Sequence, residues 1–152
     1  MKILAIDCGT KTGFALYANG IIEGGVQDFS LKRGESKGMR FIRFRSWLQE
    51  MLTNTMIAPL DLCVYEMAHH RGGSATEILV GMVTRIQEEC DQRNINYTSV
   101  HSATLKKFAT GKGRVNKGQM LAEARKRFGD EIEDHNEADA RLMLEWAREE
   151  FN

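Results

Sequence analysis

The segment KILAIDCGTKTGFALYANGIIEGGVQDF, residues 2–29, decides the fold. Its first six residues form a largely apolar run that ends at the turn signal Cys8-Gly9-Thr10. Two further β-prone runs, residues 13–18 and 21–29, are separated by Asn19-Gly20, a dipeptide typical of a two-residue hairpin turn. The pattern therefore predicts three consecutive antiparallel strands.

Hydrophobic residues recur at helical spacing in the rest of the chain. They predict helices over Phe41–Leu52, Leu79–Cys90, residues 117–128 and residues 136–150, and further strands at Leu60–Tyr65 and Asn96–Val100. The order βββαβαβαα predicts an α/β fold with a five-stranded mixed sheet flanked by helices. Three strands are antiparallel, and the last two join the first by parallel pairing. The 152 residues fit one domain, residues 1–152.

Composition excludes several classes of protein. The chain is 42% hydrophobic and 28% charged, as in globular proteins, and no apolar run approaches the roughly 18 residues of a membrane helix. The start lacks the long apolar segment of a secretory signal. Cys8, Cys63 and Cys90 are widely spaced, which favours reduced thiols and predicts a cytoplasmic protein with no membrane partner.

Charge is balanced over the chain as a whole. Lys and Arg number 21, as do Asp and Glu, so the formal net charge is zero. This balance excludes a wholly basic, histone-like binder and leaves room for a local basic patch.

Carboxylates stand where the apolar pattern makes them costly. Asp7 closes the first strand and Glu66 closes the fourth, so parallel pairing would bring both to one carboxyl edge of the sheet, where α/β proteins keep ligand sites. Asp139 precedes Leu142 and Met143 at helical spacing and shares the buried face of the last helix. Taken singly, each acid is better explained as a solvated strand end or a helix-terminal charge than as a functional residue.

Together the three acids favour a metal site. Unpaired carboxylates on buried faces are expensive, and a divalent cation would hold them ionised. An oxygen donor set of Asp7, Glu66 and Asp139 suits Mg²⁺, with Mn²⁺ as a substitute, better than zinc. Two such ions can support phosphodiester hydrolysis, and no motif for a side-chain nucleophile is present.

A basic, glycine-punctuated segment follows the fifth strand. Residues 104–117 carry five cations: Lys106, Lys107, Lys112, Arg114 and Lys117. Gly111 and Gly113 allow close approach of a phosphate, and Lys117 opens the next helix. This segment is either a binding site for backbone phosphates beside the acids or a solvated loop.

Two other segments are candidates for contact with nucleic acid. His69, His70 and Arg71 lie three to five residues after Glu66, where they form either a substrate loop or a simple turn. Arg40 belongs to a basic cluster that enters the first helix, and an exposed charged face explains that cluster at least as well.

These motifs, in this order, resemble the RuvC-type Holliday junction resolvases of the ribonuclease-H-like fold, in the compact form that phages and prophages carry. The resemblance spans nearly the whole chain and rests on Ile6-Asp7-Cys8-Gly9-Thr10, Thr12-Gly13-Phe14-Ala15, Tyr65-Glu66, His69-His70-Arg71-Gly72, Lys106-Lys107, Gly111-Lys112-Gly113, Lys117 and Asn136-Glu137-Ala138-Asp139-Ala140.

The resemblance implies a magnesium-dependent endonuclease that binds four-way DNA junctions as a homodimer and nicks two strands symmetrically. It implies that Asp7, Glu66 and Asp139 bind metal and that Lys106 or Lys107, with Lys117, lies near the scissile phosphate. The family's fourth metal position, usually Asp or His, is Asn136 here, with His135 and Asp134 just upstream.

Two other functions remain open at this point. A small ribonuclease-H-like family of RNA-processing nucleases has a similar opening, and Asn136 leaves room for a junction-binding protein that does not cleave. For a homodimer, the stripe Leu79, Met82 and Val83 on the second long helix is the candidate surface, although the same stripe is equally typical of core.

Overall fold

A computed structural model describes residues 1–54, 59–68 and 72–151. In chain order the elements are β1 (Ile3–Asp7), β2 (Lys11–Ala18), β3 (Ile21–Asp28), α1 (Gly38–Thr53), β4 (Leu62–Glu66), α2 (Gly73–Gln92), β5 (Asn96–Val100), α3 (Ser102–Thr110), α4 (Lys117–Phe128) and α5 (His135–Phe151). In this part of the chain, no helix is long and apolar enough to cross a membrane.

The five strands form one mixed sheet in the order β3-β2-β1-β4-β5. β1 pairs antiparallel with β2 and parallel with β4, and β4 pairs parallel with β5. The predicted sheet is therefore confirmed. β1 is central and buried on both faces, which explains why Ile3, Leu4, Ala5 and Ile6 read as a continuous apolar run.

Helices cover both faces of the sheet. Leu4, Ile6 and Cys63 pack with the buried residues of α1 and α2 in one hydrophobic core. Alternate strand residues, among them Ala5 and Val64, pack with α3, α4 and α5 in a second core. Because side chains alternate along a strand, each strand residue can be assigned to one of the two cores.

The predicted hairpin turn is present at Asn19-Gly20. Both residues have positive φ values, 54° and 81°, the backbone conformation that a two-residue turn of this class requires. Asparagine and glycine adopt it at low cost, so this dipeptide sets the register in which Ala18 pairs with Ile21.

One element was absent from the sequence-based prediction. Ser102–Thr110 of the basic segment forms α3, with Leu105 and Ala109 buried and Gly111 ending the helix at a φ of 81°. Nine residues with two buried positions give too short a pattern to distinguish from a loop. The cysteine prediction is confirmed, since all three thiols are free and Cys63 and Cys90 are buried.

Gly13 permits an unusually close contact between layers. It pairs with Asp7 across the β1–β2 ladder. A Cβ atom at this position would lie 1.9 Å from the backbone oxygen of Asn136, at the start of α5. Only glycine lets the first turn of α5 rest directly on β2, so this residue fixes where α5 stands relative to Asp7.

We expect Gly13→Ala to destabilise the protein by about 3 kcal/mol or more, because the added methyl group overlaps backbone atoms that cannot rotate away. Urea unfolding monitored by circular dichroism measures the change. Gly38→Ala is the matched control, since nothing lies within 4 Å of its added Cβ. A helical Gly→Ala change there should be neutral or stabilising by up to about 1 kcal/mol. Equal stability of the two variants would contradict this account.

Candidate metal and nucleic-acid site

Asp7 and Glu66 end two neighbouring parallel strands. Ile3 pairs with Leu62 and Ala5 with Val64, so Asp7 and Glu66 occupy the next positions of the same register. Because side chains alternate, Asp7 lies on the face of Ile3 and Ala5, which is the face that α5 covers. The predicted meeting of these two acids at one sheet edge is therefore confirmed.

Asp139 comes to this edge from α5. Leu142 and Met143, one turn farther along, are wholly buried against the sheet, as is Ala138 beside it. Asp139 is thus held on the sheet-facing side of α5 and is only partly exposed. The hydrophobic stripe that anchors the helix also forces this carboxylate toward the strand ends.

Glu66 borders two cavities. The first, of about 180 Å³, we call the basic cavity; it is lined by Glu66, Ser102, Leu105, Lys106, Val115, Asn116, Lys117, Met120 and Asp139. The second, of about 120 Å³, we call the apolar cavity; it is lined by Asp7, Cys8, Glu66, Met67, Ala68, Leu79 and Val83. The site therefore consists of two adjoining spaces with one shared acid.

The three acids do not surround a single point. Across residues 1–54, 59–68 and 72–151, no group of three or more His, Cys, Asp or Glu side chains stands close enough to hold one ion together. Asp7 and Glu66 share one cavity, and Glu66 and Asp139 share the other. Any ion at this edge would accordingly find its protein carboxylates in pairs.

The acids destabilise one another in the absence of a cation. Burial, followed by the charges of Asp139 and Glu66, raises the pKa of Asp7 well above its usual value. Burial and the charge of Glu66 raise the pKa of Asp139 to about 6. Buried carboxylates that repel each other are the donor set that a hard divalent cation relieves, so these residues fit such an ion.

Two of the predicted lysines reach the acids. The ammonium group of Lys117 lowers the pKa of both Asp7 and Asp139, and that of Lys106 lowers the pKa of Asp139. Both lysines line the basic cavity. The basic cavity is thus lined by both carboxylates and ammonium groups, so a phosphate attracted by the lysines can approach the acids.

The remaining cations of the basic segment lie on the surface nearby. Lys107 is exposed on α3, and Lys112 and Arg114 are exposed in the connection to α4. At the start of α4, the Asn116 side chain accepts a hydrogen bond from the Gln119 backbone N–H. That donor of the helix terminus is therefore already satisfied and is not free for an anion.

The three candidates for a fourth metal position have different surroundings. The carboxylate of Asp134 accepts hydrogen bonds from the backbone N–H groups of Asn136, at 2.7 Å, and Glu137, at 3.4 Å, and so caps α5. His135 lies one turn before Asp139, with Nδ1 3.3 Å from the carbonyl oxygen of Lys117. Asn136 abuts Gly13, the pairing partner of Asp7.

Sequence reasoning missed the role of Thr12. This wholly buried residue donates a hydrogen bond of 2.8 Å from its hydroxyl group to the carbonyl oxygen of Gly9, and it lies 3.9 Å from the sulfur of Met82. It thereby holds the turn that directly follows Asp7. The sequence signal that could have revealed this role is Thr12 itself, a polar residue at a position of β2 that faces the core.

Other predicted residues lie outside this site or outside the described residues. His69, His70 and Arg71 fall outside the described residues. Arg40, at the start of α1, donates a hydrogen bond from Nε to the Phe29 carbonyl oxygen at 3.1 Å.

The stripe on α2 divides between the core and the site. Met82 is wholly buried, which confirms the interpretation of this position as core and excludes it from any dimer surface. Leu79 and Val83 line the apolar cavity.

Comparison with solved structures places the fold in the ribonuclease-H-like class. RuvC from Thermus thermophilus matches with a TM-score of 0.72 at 15% identity, over 99% of this chain and 97% of that one. RuvC of the same organism in complex with a Holliday junction substrate matches with a TM-score of 0.77 at 16% identity, over 99% and 96%. These similarities confirm the predicted fold.

A viral protein has the same architecture. Fowlpox virus resolvase, in complex with Holliday junction DNA, matches with a TM-score of 0.56 at 14% identity, over 97% of this chain and 99% of that one. No protein-family model matches the sequence, and no curated protein matches it at the sequence level.

We expect the metal-free protein to lose stability as pH rises from about 5 to about 7. Asp139 binds its proton more tightly when folded, at a pKa of about 6, than when unfolded, so the folded state holds more protons here. Unfolding then becomes easier as pH increases, by about 1–2 kcal/mol over this window. Asp28 and Glu35, whose pKa values are lowered, complete their titration at lower pH.

Urea titrations in chelator at several pH values measure this slope. Asp139→Asn should make the slope shallower, with the raised pKa of Asp7 accounting for what remains, and should be more stable than the wild type at pH 7. Asp130→Asn, at an exposed acid that lines neither cavity, should keep the wild-type slope. Identical slopes for the wild type and both variants would show that ionisation of Asp139 does not lower the free energy of unfolding.

Proposed function

We propose that this chain is a structure-selective endodeoxyribonuclease that resolves four-way (Holliday) junctions by paired nicks. One observation carries the proposal: Asp7 and Glu66 end adjacent parallel strands on the face covered by α5, which supplies Asp139 beside Lys106 and Lys117. Two proteins with this fold, RuvC and the fowlpox resolvase, have structures with Holliday junction DNA, which supports branched DNA as the substrate class.

Magnesium would be held by pairs of carboxylates. Mg²⁺ in proteins commonly takes one or two carboxylates and completes its coordination with water and substrate phosphate. Glu66 lines both cavities, but Asp7 is the acid whose charge interacts with both of the others. Asp7 and Glu66 would hold one ion and Asp7 and Asp139 the other, with the side-chain carbonyl oxygen of Asn136 as a supplementary ligand.

When bound, Mg²⁺ or Mn²⁺ supplies activation of the attacking water and neutralisation of charge at the departing 3′ oxygen. The protein's own residues do the rest. Lys106 and Lys117 bind the scissile phosphate in the basic cavity, whose apolar residues Leu105, Val115 and Met120 limit access of water. These lysines also oppose the rise in the pKa of Asp139 and so favour its charged form, which binds a cation.

The surrounding surface would hold the DNA backbone. Lys107, Lys112 and Arg114 continue the positive surface from the basic cavity along the α3–α4 connection. Contacts from these residues would give affinity without sequence preference. His69, His70, Arg71 and Arg40 are further proposed DNA contacts.

Paired nicks require two active sites. A homodimer would place one site on each of two opposing strands, so that the symmetry of the protein matches that of the junction. We include the homodimer in the proposal.

We expect Asp7→Asn to reduce cleavage of a synthetic four-way junction by at least about 100-fold in Mg²⁺ or Mn²⁺, because the variant loses the acid shared by both ions. Junction affinity, measured in chelator by electrophoretic mobility shift, should be unchanged or slightly higher, since a negative charge beside the phosphates is removed. Asp130→Asn serves as the control and should cleave as the wild type does. Equal loss of binding and cleavage would identify Asp7 as a folding residue.

The substrate panel separates the three functions. A four-way DNA junction, a DNA duplex of the same sequence and a structured RNA are incubated with the wild type in Mg²⁺ and in Mn²⁺. Symmetric nicks in the junction support the proposal. Cleavage of RNA alone would establish the RNA-processing nuclease, and junction binding without nicks would establish the non-cleaving protein. Sedimentation of the same samples tests the homodimer.

We expect Lys117→Ala and Lys106→Ala each to slow single-turnover cleavage by about 10- to 100-fold, because each removes a cation aimed at the phosphate and the acids. Their effect on junction affinity at moderate salt should be small, since other cations bind the backbone. Lys126→Ala, an exposed lysine in the last turn of α4, is the control for charge alone. If all three variants cleave equally, the two lysines have no role at the cut.

A further inference from the structure

The strand β3 forms a long edge of the sheet. It runs for eight residues, Ile21–Asp28, and stands at the end of the strand order. Its register with β2 is continuous from the Ala18–Ile21 pair to the Lys11–Asp28 pair, without a bulge. Proteins commonly protect such edges with a proline, a lysine or a bulge, which prevents pairing with another chain. Because β3 has none of these, it offers a template for an added strand.

Alternate residues of β3 direct their backbone groups away from β2. Phe29, which directly follows the strand, donates its N–H to the Thr10 carbonyl oxygen at 2.7 Å. Because an antiparallel ladder alternates between bonded and non-bonded pairs, residues 21, 23, 25 and 27 bond to β2, whereas Ile22, Gly24 and Val26 face outward. In the part of the chain that the structure describes, no loop backbone forms a hydrogen bond with these three residues.

A groove, which we call the edge groove, lies between β3 and α1. Its first part, of about 450 Å³, is bordered by Ile21 of β3 and Met51 of α1. Its second part, of about 310 Å³, is bordered by Gln27 of β3 and Trp47 of α1. The rings of Phe14, in the first part, and Trp47 have centroids 5.5 Å apart, so the two parts adjoin. The groove therefore follows the edge strand along most of its length.

The two faces of β3 differ in polarity. On the face of the edge groove, the side chain of Ile21 is 61% exposed, and Glu23 follows it on the same face. On the opposite face, Ile22 packs at the margin of the core beneath α5, and Val26 is half-buried. An added strand would accordingly meet carboxylate and aliphatic groups on one face and aliphatic groups alone on the other.

Two exposed carboxylates set the charge of the edge groove. Glu23 lines its first part and Glu50 its second. The groove's other two ionisable residues are opposed by charges outside it, which place Lys11 opposite Asp28 and pair Glu35 with Arg43. The groove therefore attracts cationic side chains and repels the phosphates of a nucleic acid. A second copy of β3, whose ionisable residues are both acids, lacks the complementary charge.

We propose that β3 accepts, as a sixth strand, an extended segment of a partner protein in which basic and apolar residues alternate. The basic side chains would lie in the edge groove, with their aliphatic stems on Ile21 and Met51 and their charged ends at Glu23 and Glu50. The apolar side chains would lie on the opposite face, beside Ile22. β2 separates this surface from the strand that carries Asp7, so the proposal does not depend on the proposed cleavage.

The test uses the full chain and synthetic peptides, without DNA or metal. A fluorescein-labelled peptide of alternating valine and lysine, as long as β3, is titrated with the wild type, and fluorescence anisotropy gives Kd. A matched peptide carries glutamate in place of lysine. The lysine peptide should bind at least about tenfold more tightly, because its charges are attracted by the groove and those of the glutamate peptide are repelled.

Two further peptides test pairing of the main chains. One is N-methylated on every valine and the other on every lysine, so each lacks the N–H donors along one of its two edges. Only one edge of a strand can pair with β3. One of these peptides should therefore lose at least about tenfold in affinity, while the other stays within about threefold of the parent peptide.

Hydrogen exchange and protein variants locate the bound peptide. At saturation, the amides of Ile22, Gly24 and Val26 should exchange at least about tenfold more slowly than in the free protein, because each gains a hydrogen-bond partner. Glu23→Lys should weaken binding of the lysine peptide by about fivefold. Glu149→Lys makes the same change of charge at an exposed position of α5 and should bind as the wild type does.

The outcomes decide between occupants. Selective binding of the lysine peptide, with slowed exchange at the three outward amides, establishes strand addition. Absence of binding, equal affinity for the lysine and glutamate peptides, or equal effects of the two N-methylations overturns it. A dimer that sediments as such in the wild type and dissociates in Glu23→Lys would assign the edge to a second copy, and this also overturns the proposal. Junction cleavage is measured separately, and its failure would leave this inference intact.

Discussion

The parallel pairing of β1 with β4 is the constraint on which the rest of this molecule depends. It pairs Ile3 with Leu62, which stands 59 positions later in the sequence, and so aligns the ends of the two strands. The alternation of side chains then leaves Asp7 and Glu66 on the face covered by α5. A shift of one residue in either strand would turn its acid toward the opposite layer and bury the wrong apolar side chains.

The hydrophobic cores stabilise the fold against the electrostatic repulsion between the buried acids. Burial and mutual repulsion raise the pKa values of Asp7 and Asp139, so their charged forms weaken the fold at neutral pH. The wholly buried residues of α5, with Gly13 beneath its first turn, keep Asp139 in place despite this repulsion. Proteins commonly retain such unfavourable charges where binding of a ligand offsets them.

Much of the fold was predictable because its signals are local and strong. The continuous apolar run of β1, the Asn19-Gly20 turn and the helical periodicity each report one element, and the connection rules then restrict the topology. α3 was missed because only Leu105 and Ala109 of its nine residues are buried. The end positions of Asp7 and Glu66 were likewise readable, since each interrupts an apolar pattern.

What the sequence did not show depends on distances between layers. The contact of Gly13 with Asn136 joins residues 123 positions apart, and no local pattern indicates it. The separation of the site into two cavities depends on how α2, α3 and α4 pack around the strand ends, which periodicity does not report. Asp134, which the sequence analysis considered only beside the fourth metal position, caps α5 in the structure.

Glu66 forms a wall common to both cavities, and this has a thermodynamic consequence. A cation or hydrogen-bond donor that binds Glu66 from one cavity offsets part of the negative charge that faces the other cavity. Occupancy on one side and affinity on the other are thus linked, and the linkage has the same magnitude in both directions.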